Sequence, residues 1–187
     1  MNVVLIGFRC SGKSCVGKAL AARLGREFID CDAYIERRTG IPIREMFERH
    51  GESHFRLIES QAIAELAKLD GKVLALGGGA VLKHKNMQAL RRHGMVFHLR
   101  VSAETVLERM QGAGPGGGGS RPPRAEGADP GAEIRAQIEL REPYYREGAD
   151  VTVPTDGRRV EEVVEEILAH LKRRGFPERQ DLDASPA

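Results

Sequence analysis

The sequence predicts an α/β fold in which a parallel sheet is wrapped by helices. Short apolar runs alternate with stretches of helical periodicity, and a glycine-containing motif stands between the first apolar run and the first helical stretch. The chain has 187 residues, of which 41% are hydrophobic. It is therefore long enough for one domain with a single sizeable core.

Five apolar runs alternate with the expected helices. The candidate strands are NVVLI (2–6), EFID (27–30), KVLAL (72–76), MVFHL (95–99) and DVTV (150–153). Apolar residues at four-residue spacing over 16–24, followed by Gly25, predict a first helix and its end. Pro42 is expected to open a second helix that Gly51 closes. A longer helix is marked by apolar residues at helical spacing, namely Phe55, Ile58, Ala62, Leu66 and Leu69. Ser102 is expected to cap a helix over AETVLERM. A last amphipathic helix carries Val160, Val163, Val164, Ile167, Leu168 and Leu171.

Charge and composition argue against several classes of partner. The net charge of +2 comes from 29 basic and 27 acidic residues, and charges of both signs are interspersed along the sequence. Only 5% of the residues are aromatic. This composition is not typical of a nucleic-acid-binding surface. No apolar run is long enough for a signal peptide or a membrane span, so we expect a cytoplasmic protein without membrane or nucleic-acid partners. We also expect a monomer. We expect the three cysteines to be free thiols that serve as small packing residues. They are Cys10, Cys15 and Cys31.

The segment 111–131 interrupts the pattern because it is rich in glycine and proline and has no periodicity. Such a composition is typical of a flexible linker, and a domain boundary is the simplest interpretation. The helix, strand and helix that follow are too few to bury a second core, so we expect a mobile lid within one domain of residues 1–174. The lid contains Arg121 and Arg124, and a polar tail is expected at 175–187.

The stretch GFRCSGKS, residues 7–14, fits the phosphate-loop pattern G-x-x-x-x-G-K-[S/T] between an apolar strand and a helix. In such a loop, backbone N–H groups surround an anion, Lys13 brings charge to the outer phosphates and the Ser14 hydroxyl can bind magnesium. We therefore predict a site for ATP or a similar nucleotide, formed by Gly7, Cys10, Ser11, Gly12, Lys13, Ser14 and Cys15.

Asp30 and Asp32 follow the second apolar run. Alternation along an extended strand would place both carboxylates on one face, beside the terminal phosphate of the nucleotide. One of them can then hold magnesium through a water molecule while the other meets an acceptor hydroxyl. On this stretch alone, two solvated aspartates at a strand end are the simpler interpretation.

Three further features suggest an acceptor site. Gly77–Gly79 follow the third strand and let backbone approach a ligand, although an ordinary loop is equally compatible with them. Arg56 and Glu59 are three residues apart on a helix and can pair, most commonly as a surface ion pair. Arg141 shares helical spacing with buried positions and could bind a ligand carboxylate, unless Pro143 ends that helix and lets Arg141 reach solvent.

Together these segments resemble the shikimate kinase family. The matching pieces are GFRCSGKS, DCD (30–32), FRLIE (55–59), GGGAV (77–81), Arg109 before the lid, RPP within it, and LREPYY (140–145). The resemblance runs from about Val3 to Leu171. It implies a P-loop kinase with a five-stranded parallel sheet of the nucleoside monophosphate kinase type, and transfer of the ATP γ-phosphoryl group to the 3-hydroxyl of shikimate.

The resemblance also implies a role for each matching residue. Ser14 and Asp30 would serve Mg²⁺, and Asp32 would hold the shikimate hydroxyls and orient or deprotonate the acceptor. The substrate site would be completed by Arg56, Glu59, Gly77, Gly78, Gly79 and Arg141. On the nucleotide side, Arg121 would meet the transferring phosphoryl group, Arg109 would stack on adenine, and Arg158 or Arg159 could lie on the base.

Two other functions remain open. A kinase of another small hydroxy acid, such as gluconate, would keep the phosphate loop but would not need DCD, Arg56 and Arg141 together. A catalytically silent nucleotide-binding regulator would typically have lost Lys13, Asp32 or Arg121, and all three are present.

Overall fold

The computed structural model describes residues 1–112 and 129–176. Within them lies one five-stranded parallel sheet with the order β2-β3-β1-β4-β5. The strands are β1 (Asn2–Ile6), β2 (Glu27–Asp30), β3 (Lys72–Ala75), β4 (Gly94–Arg100) and β5 (Val151–Pro154). The predicted α/β class and all five strands are confirmed, with shifts of one residue at several ends.

The helices connect the strands in chain order, except the last one, which follows β5. They are α1 (Lys13–Leu24), α2 (Cys31–Thr39), α3 (Ile43–Leu66), α4 (His84–His93), α5 (Ala103–Gly112), α6 (Pro130–Gly148) and α7 (Val160–Arg173), with a short 3-10 helix at Ala80–Leu82. The Ser102 cap is present, since its Oγ accepts a hydrogen bond from Thr105 N–H at 3.2 Å. No helix among the described residues combines the length and apolar character that crossing a membrane requires.

Helix α3 contains the predicted break at Gly51. There φ is 77° and ψ is 174°, a conformation outside the helix and in the region that favours glycine. The predicted continuation of α3 to Leu69 is wrong, because the helix ends at Leu66 and Leu69 is partly exposed. The Leu69 carbonyl instead accepts a hydrogen bond from the Asn2 side chain at 2.6 Å, which turns the chain toward β3.

The core has two main layers, one on each face of the sheet. One face packs against α2, α3, α4 and α6 through residues such as Phe55, Ile63 and Tyr145. The other packs against α1 and α7 through Leu20, Ile167 and their neighbours. Because all strands are parallel, their carboxyl ends meet at one edge, and the chain segments that leave this edge form the site described below.

Candidate active site

The phosphate loop connects β1 to α1 as the motif predicts. Its backbone is held in conformations with positive φ at Gly7, Cys10 and Gly12, of which Cys10 is the non-glycine case at 58°. Lys13 Nζ donates hydrogen bonds to the carbonyl oxygens of Gly7 at 2.9 Å and Phe8 at 2.7 Å. The ammonium group therefore lies across the loop whose N–H groups are expected to bind phosphate.

Asp30 meets the phosphate loop at its Ser14 side. The Ser14 hydroxyl donates to Asp30 Oδ2 at 3.0 Å, which joins the end of β2 to the first turn of α1. A hydroxyl and a carboxylate at this distance are the oxygen donors that Mg²⁺ accepts, and the ion completes its shell with water and phosphate oxygens. These two side chains fit a magnesium ion bound to a nucleotide.

The predicted alternation of Asp30 and Asp32 along a strand is wrong. Strand β2 ends at Asp30, and α2 begins at the next residue. Asp30 caps that helix, because its Oδ1 accepts hydrogen bonds from Asp32 N–H at 3.0 Å and Ala33 N–H at 3.3 Å. Asp32 is thus placed by the first turn of a helix, while one oxygen of Asp30 is used for capping.

Three carboxylates lie near the buried Cys31 thiol. Burial raises the pKa of this thiol well above its ordinary value, and Asp32, Glu59 and Asp30 raise it further. Cys31 is therefore a protonated packing residue, as predicted. Cys10 is only partly buried and Cys15 is exposed, so the packing role predicted for Cys15 is wrong, although all three cysteines are free.

Arg56 and Glu59 form a buried ion pair, which excludes the surface-pair interpretation. Arg56 is 9% exposed and Glu59 is 1% exposed. Arg56 Nη1 donates to Glu59 Oε2 at 2.6 Å, and Nη2 donates to Glu52 Oε1 at 3.0 Å. Burial acts to lower the pKa of Arg56, but Glu59 and Glu52 outweigh it and the pKa is raised. The cation is thereby held in a fixed position at the edge of the sheet.

Gly78 and Gly79 bring backbone close to this cation and to the phosphate loop. A Cβ atom at Gly79 would overlap the Arg56 guanidinium, and one at Gly78 would lie 3.4 Å from the Gly7 carbonyl oxygen. The backbone therefore approaches Arg56 and the phosphate loop closely, and its predicted approach to a ligand stays a prediction. Arg56 occupies the space that a side chain at Gly79 would need. We refer to Gly77–Gly79 as the glycine segment.

Arg141 faces the same glycine segment from α6. The helix continues through Pro143 to Gly148, so the alternative in which Pro143 ends it is wrong. Arg141 Nη1 donates to the Gly78 carbonyl oxygen at 3.5 Å, and its guanidinium lies 5.5 Å from the centre of the Phe8 ring. Arg56 and Arg141 therefore border one short stretch of backbone, which lies beside the phosphate loop.

Arg109 bridges the phosphate loop and the segment after β5. Its guanidinium donates to the carbonyl oxygens of Cys10 and Thr155, both at 2.8 Å. Arg158 instead pairs with Glu166 at 2.6 Å on the first turns of α7. Contacts of either arginine with adenine stay predictions. Arg121 and most of the lid, residues 113–128, lie outside the described residues, so the predictions made for them also stay untested.

The comparisons with known proteins agree with this geometry. The family model described as shikimate kinase matches residues 9–172. The chain belongs to the shikimate kinase family. A shikimate kinase of Symbiobacterium thermophilum is 42% identical over 175 residues, covering 94% of this chain and 98% of that protein. A shikimate kinase of Thermus thermophilus is 46% identical over 171 residues, covering 91% of this chain and 90% of the relative.

A solved shikimate kinase shares the same architecture. The structure from Acinetobacter baumannii in complex with shikimate has a TM-score of 0.84 at 34% identity, covering 94% of this chain and 95% of that one. A gluconokinase from Sinorhizobium meliloti reaches a TM-score of 0.56 at 24% identity, over 92% of each chain. The second likeness shows only a shared fold, whereas the first comes from within the shikimate kinase family.

Sequence reasoning missed His98, which lies on β4 and packs under Tyr145. His98 is 2% exposed, and its ring stacks on Tyr145 with centroids 4.7 Å apart and an angle of 13°. Burial, together with the charges of Arg100 and Lys13, lowers its pKa to about 4. The signal was a histidine inside the apolar run MVFHL, which by itself indicates only a buried strand.

A buried neutral histidine predicts acid sensitivity of folding. Between the folded pKa of about 4 and the ordinary value of 6.5, the unfolded chain binds the proton more strongly, so stability falls as pH decreases through this window. We expect His98 to contribute a loss of about 2 kcal/mol between pH 7 and pH 4.5.

The measurement is urea unfolding of the wild type and His98→Phe at both pH values. Phenylalanine keeps an aromatic ring against Tyr145, and its stability should fall by about 2 kcal/mol less over this interval. Parallel losses in the two proteins would show that His98 is not the group responsible.

Proposed function

We propose that this chain catalyses ATP-dependent phosphorylation of the 3-hydroxyl of shikimate, giving shikimate 3-phosphate for the biosynthesis of chorismate and aromatic amino acids. The observation that carries the proposal is the placement of Arg56 against Gly79 and of Arg141 against the Gly78 carbonyl, beside the phosphate loop. Two fixed guanidinium groups suit a small carboxylate ligand, which they can bind through paired hydrogen bonds.

The acceptor side of the proposed reaction uses Asp32, the arginine pair and the glycine segment. Glu59 holds Arg56 by its buried hydrogen bond of 2.6 Å, so the guanidinium needs little reorganisation to receive the substrate carboxylate. Gly77, Gly78 and Gly79 offer backbone groups to the ring hydroxyls. Asp32 accepts a hydrogen bond from the attacking hydroxyl and takes its proton as the new oxygen–phosphorus bond forms, while the bond between the γ-phosphorus and the bridging oxygen breaks and ADP leaves.

The nucleotide side uses the phosphate loop. Lys13 neutralises charge on the outer phosphates, and Ser14 and Asp30 would hold Mg²⁺, which supplies further positive charge to the phosphate oxygens when bound. We also propose that Arg109, and Arg158 more weakly because of its pairing with Glu166, contact the nucleotide base. Residues 1–174 would form one catalytic domain that acts as a cytoplasmic monomer. Its lid would lie between Gly112 and Pro130, because α5 and α6 include the two ends of the segment predicted at 111–131.

A coupled assay with ATP, Mg²⁺ and a panel of hydroxy acids tests this function. We expect ADP release with shikimate and a product whose phosphate sits on the 3-hydroxyl, as shown by NMR. Preferred turnover of gluconate would replace the proposal with the alternative kinase. Binding of ATP without turnover of any acid would favour the silent regulator.

The lid arginine can be tested separately. Arg121→Ala should lower the maximal rate about 100-fold, the usual cost of losing one charge-stabilising donor, while the KM for shikimate changes little. Arg124→Ala, in the same segment, is the matched control and should have a much smaller effect. A large rise in the KM for shikimate with an unchanged maximal rate would make Arg121 a binding residue instead.

A further inference from the structure

Tyr145 joins helix α6 to the glycine segment. The side chain is 1% exposed, and its hydroxyl donates a hydrogen bond of 2.5 Å to the Gly78 carbonyl oxygen. The face of its ring is stacked on His98, whose strand β4 lies between β1 and β5 in the sheet. Both the direction of the ring and the position of the hydroxyl are therefore set by buried neighbours.

The hydrogen bond to Gly78 also orients the next N–H group. The peptide bond between Gly78 and Gly79 is planar, and in the trans form its carbonyl and N–H point in opposite directions. The structure contains no cis peptide bond among the described residues, so this geometry applies. When Tyr145 holds the Gly78 carbonyl toward α6, the Gly79 N–H must point away from α6.

Glycine makes such an external restraint necessary. A glycine–glycine peptide rotates more freely than any other, because neither residue has a Cβ atom to limit its backbone angles. Arg56 packs against the Gly79 Cα and limits that residue from one side. The Tyr145 hydroxyl restrains the same peptide at its carbonyl group.

Arg141 shares the carbonyl that Tyr145 binds. The two residues are four apart on α6 and so lie on one face of the helix. The Arg141 contact with the Gly78 oxygen is long, at 3.5 Å, whereas the Tyr145 contact is short. The long contact engages the guanidinium only weakly, so Arg141 keeps donors for another acceptor.

We propose that Tyr145 is a positioning residue for the acceptor. Its hydroxyl holds the Gly78–Gly79 peptide so that the Gly79 N–H and the Arg141 guanidinium face the bound substrate together. The identity of the substrate rests on the proposed function, whereas the orientation of the peptide does not. Tyr145 itself does not touch the reacting atoms.

The kinetic test compares Tyr145→Phe with Tyr144→Phe. Phenylalanine keeps the stacked ring on His98 and removes only the hydroxyl. Loss of one neutral hydrogen bond predicts a rise in the KM for shikimate of roughly 3- to 10-fold. The KM for ATP should stay within about twofold, because the phosphate loop lies on a different segment. Tyr144, the exposed neighbour on the same helix, should give wild-type values for both substrates.

A second measurement does not depend on the substrate. In ¹⁵N–¹H NMR spectra of the ligand-free protein, Tyr145→Phe should shift the Gly79 amide resonance strongly, and Tyr144→Phe should not. If the Gly79 resonance moves but shikimate is not a substrate, the proposed function fails and the positioning role stands. An unmoved Gly79 resonance, or equal rises in the KM values for shikimate and ATP, would overturn the positioning role.

Discussion

Replacement of Lys13 by alanine should reduce phosphoryl transfer more than about 1,000-fold, to a level that an ordinary assay does not detect. The ammonium group is the positive charge that the motif places for the outer phosphates. It is needed most when charge moves toward the leaving group, so its loss should lower kcat more than it raises the KM for ATP. Steady-state kinetics over a range of ATP concentrations measures both effects.

The matched control for this variant is Lys18→Ala. Lys18 is exposed on α1, one and a half turns beyond Lys13, and should keep wild-type kinetics. Lys13 also donates to the carbonyl oxygens of Gly7 and Phe8, so circular dichroism and thermal unfolding must show that the variant still folds. A folded Lys13→Ala protein with wild-type turnover would refute the assignment of the phosphate loop.

The sheet and the phosphate loop could be predicted because their signals are local. Each strand is a short apolar run, and the spacing of two glycines, Lys13 and Ser14 directly encodes a loop between β1 and α1. The break at Gly51 was also visible, because glycine tolerates the backbone angles that interrupt the helix there.

Helix α2 could not be predicted from periodicity, because it buries only Cys31 and Ile35. An aspartate at the end of an apolar run can continue a strand or cap a helix, and apolar spacing does not distinguish these outcomes. The Gly40 stop and the capping Asp30 were available signals for α2. These signals predict Asp32 in the first turn of a helix, instead of on the same face of a strand as Asp30.

The acceptor side of the site depends on contacts between distant parts of the chain. The Arg141 contact with Gly78 spans 63 positions in the sequence, and that of Tyr145 spans 67. Helical spacing indicated that Arg141 should face inward, but only packing shows what it meets there. The burial of Arg56 likewise decides between a surface ion pair and a fixed cation, which sequence spacing left open.

Asp30 and Asp32 should respond differently to the same substitution, and this difference separates their proposed roles. Asp30→Asn keeps an oxygen for the N-cap of α2, because asparagine caps helices about as well as aspartate. It removes the negative charge beside Ser14 and should weaken magnesium binding. Raising the Mg²⁺ concentration should therefore restore much of the lost rate.

Asp32→Asn should resist this rescue. An amide cannot take the proton of the acceptor hydroxyl, and its NH₂ group is a donor facing another donor. We expect the rate to fall roughly 100-fold or more, within the range for a positioned acid–base group. The measurement is a magnesium titration of both variants at saturating ATP and shikimate. Glu27→Gln, at the opposite end of β2, is the control carboxylate and should titrate like the wild type.

The two substitutions differ in structure as well as in chemistry, because Asp30 caps α2 and Asp32 lies in the first turn of that helix. A lost cap at Asp30 would lower stability at every Mg²⁺ concentration, so thermal unfolding separates a damaged helix from a weakened metal site. Rescue of Asp30→Asn alone would support a metal role for Asp30 and a substrate role for Asp32. Equal rescue of both variants would mean that both carboxylates serve the metal, and the proton acceptor would have to be sought elsewhere.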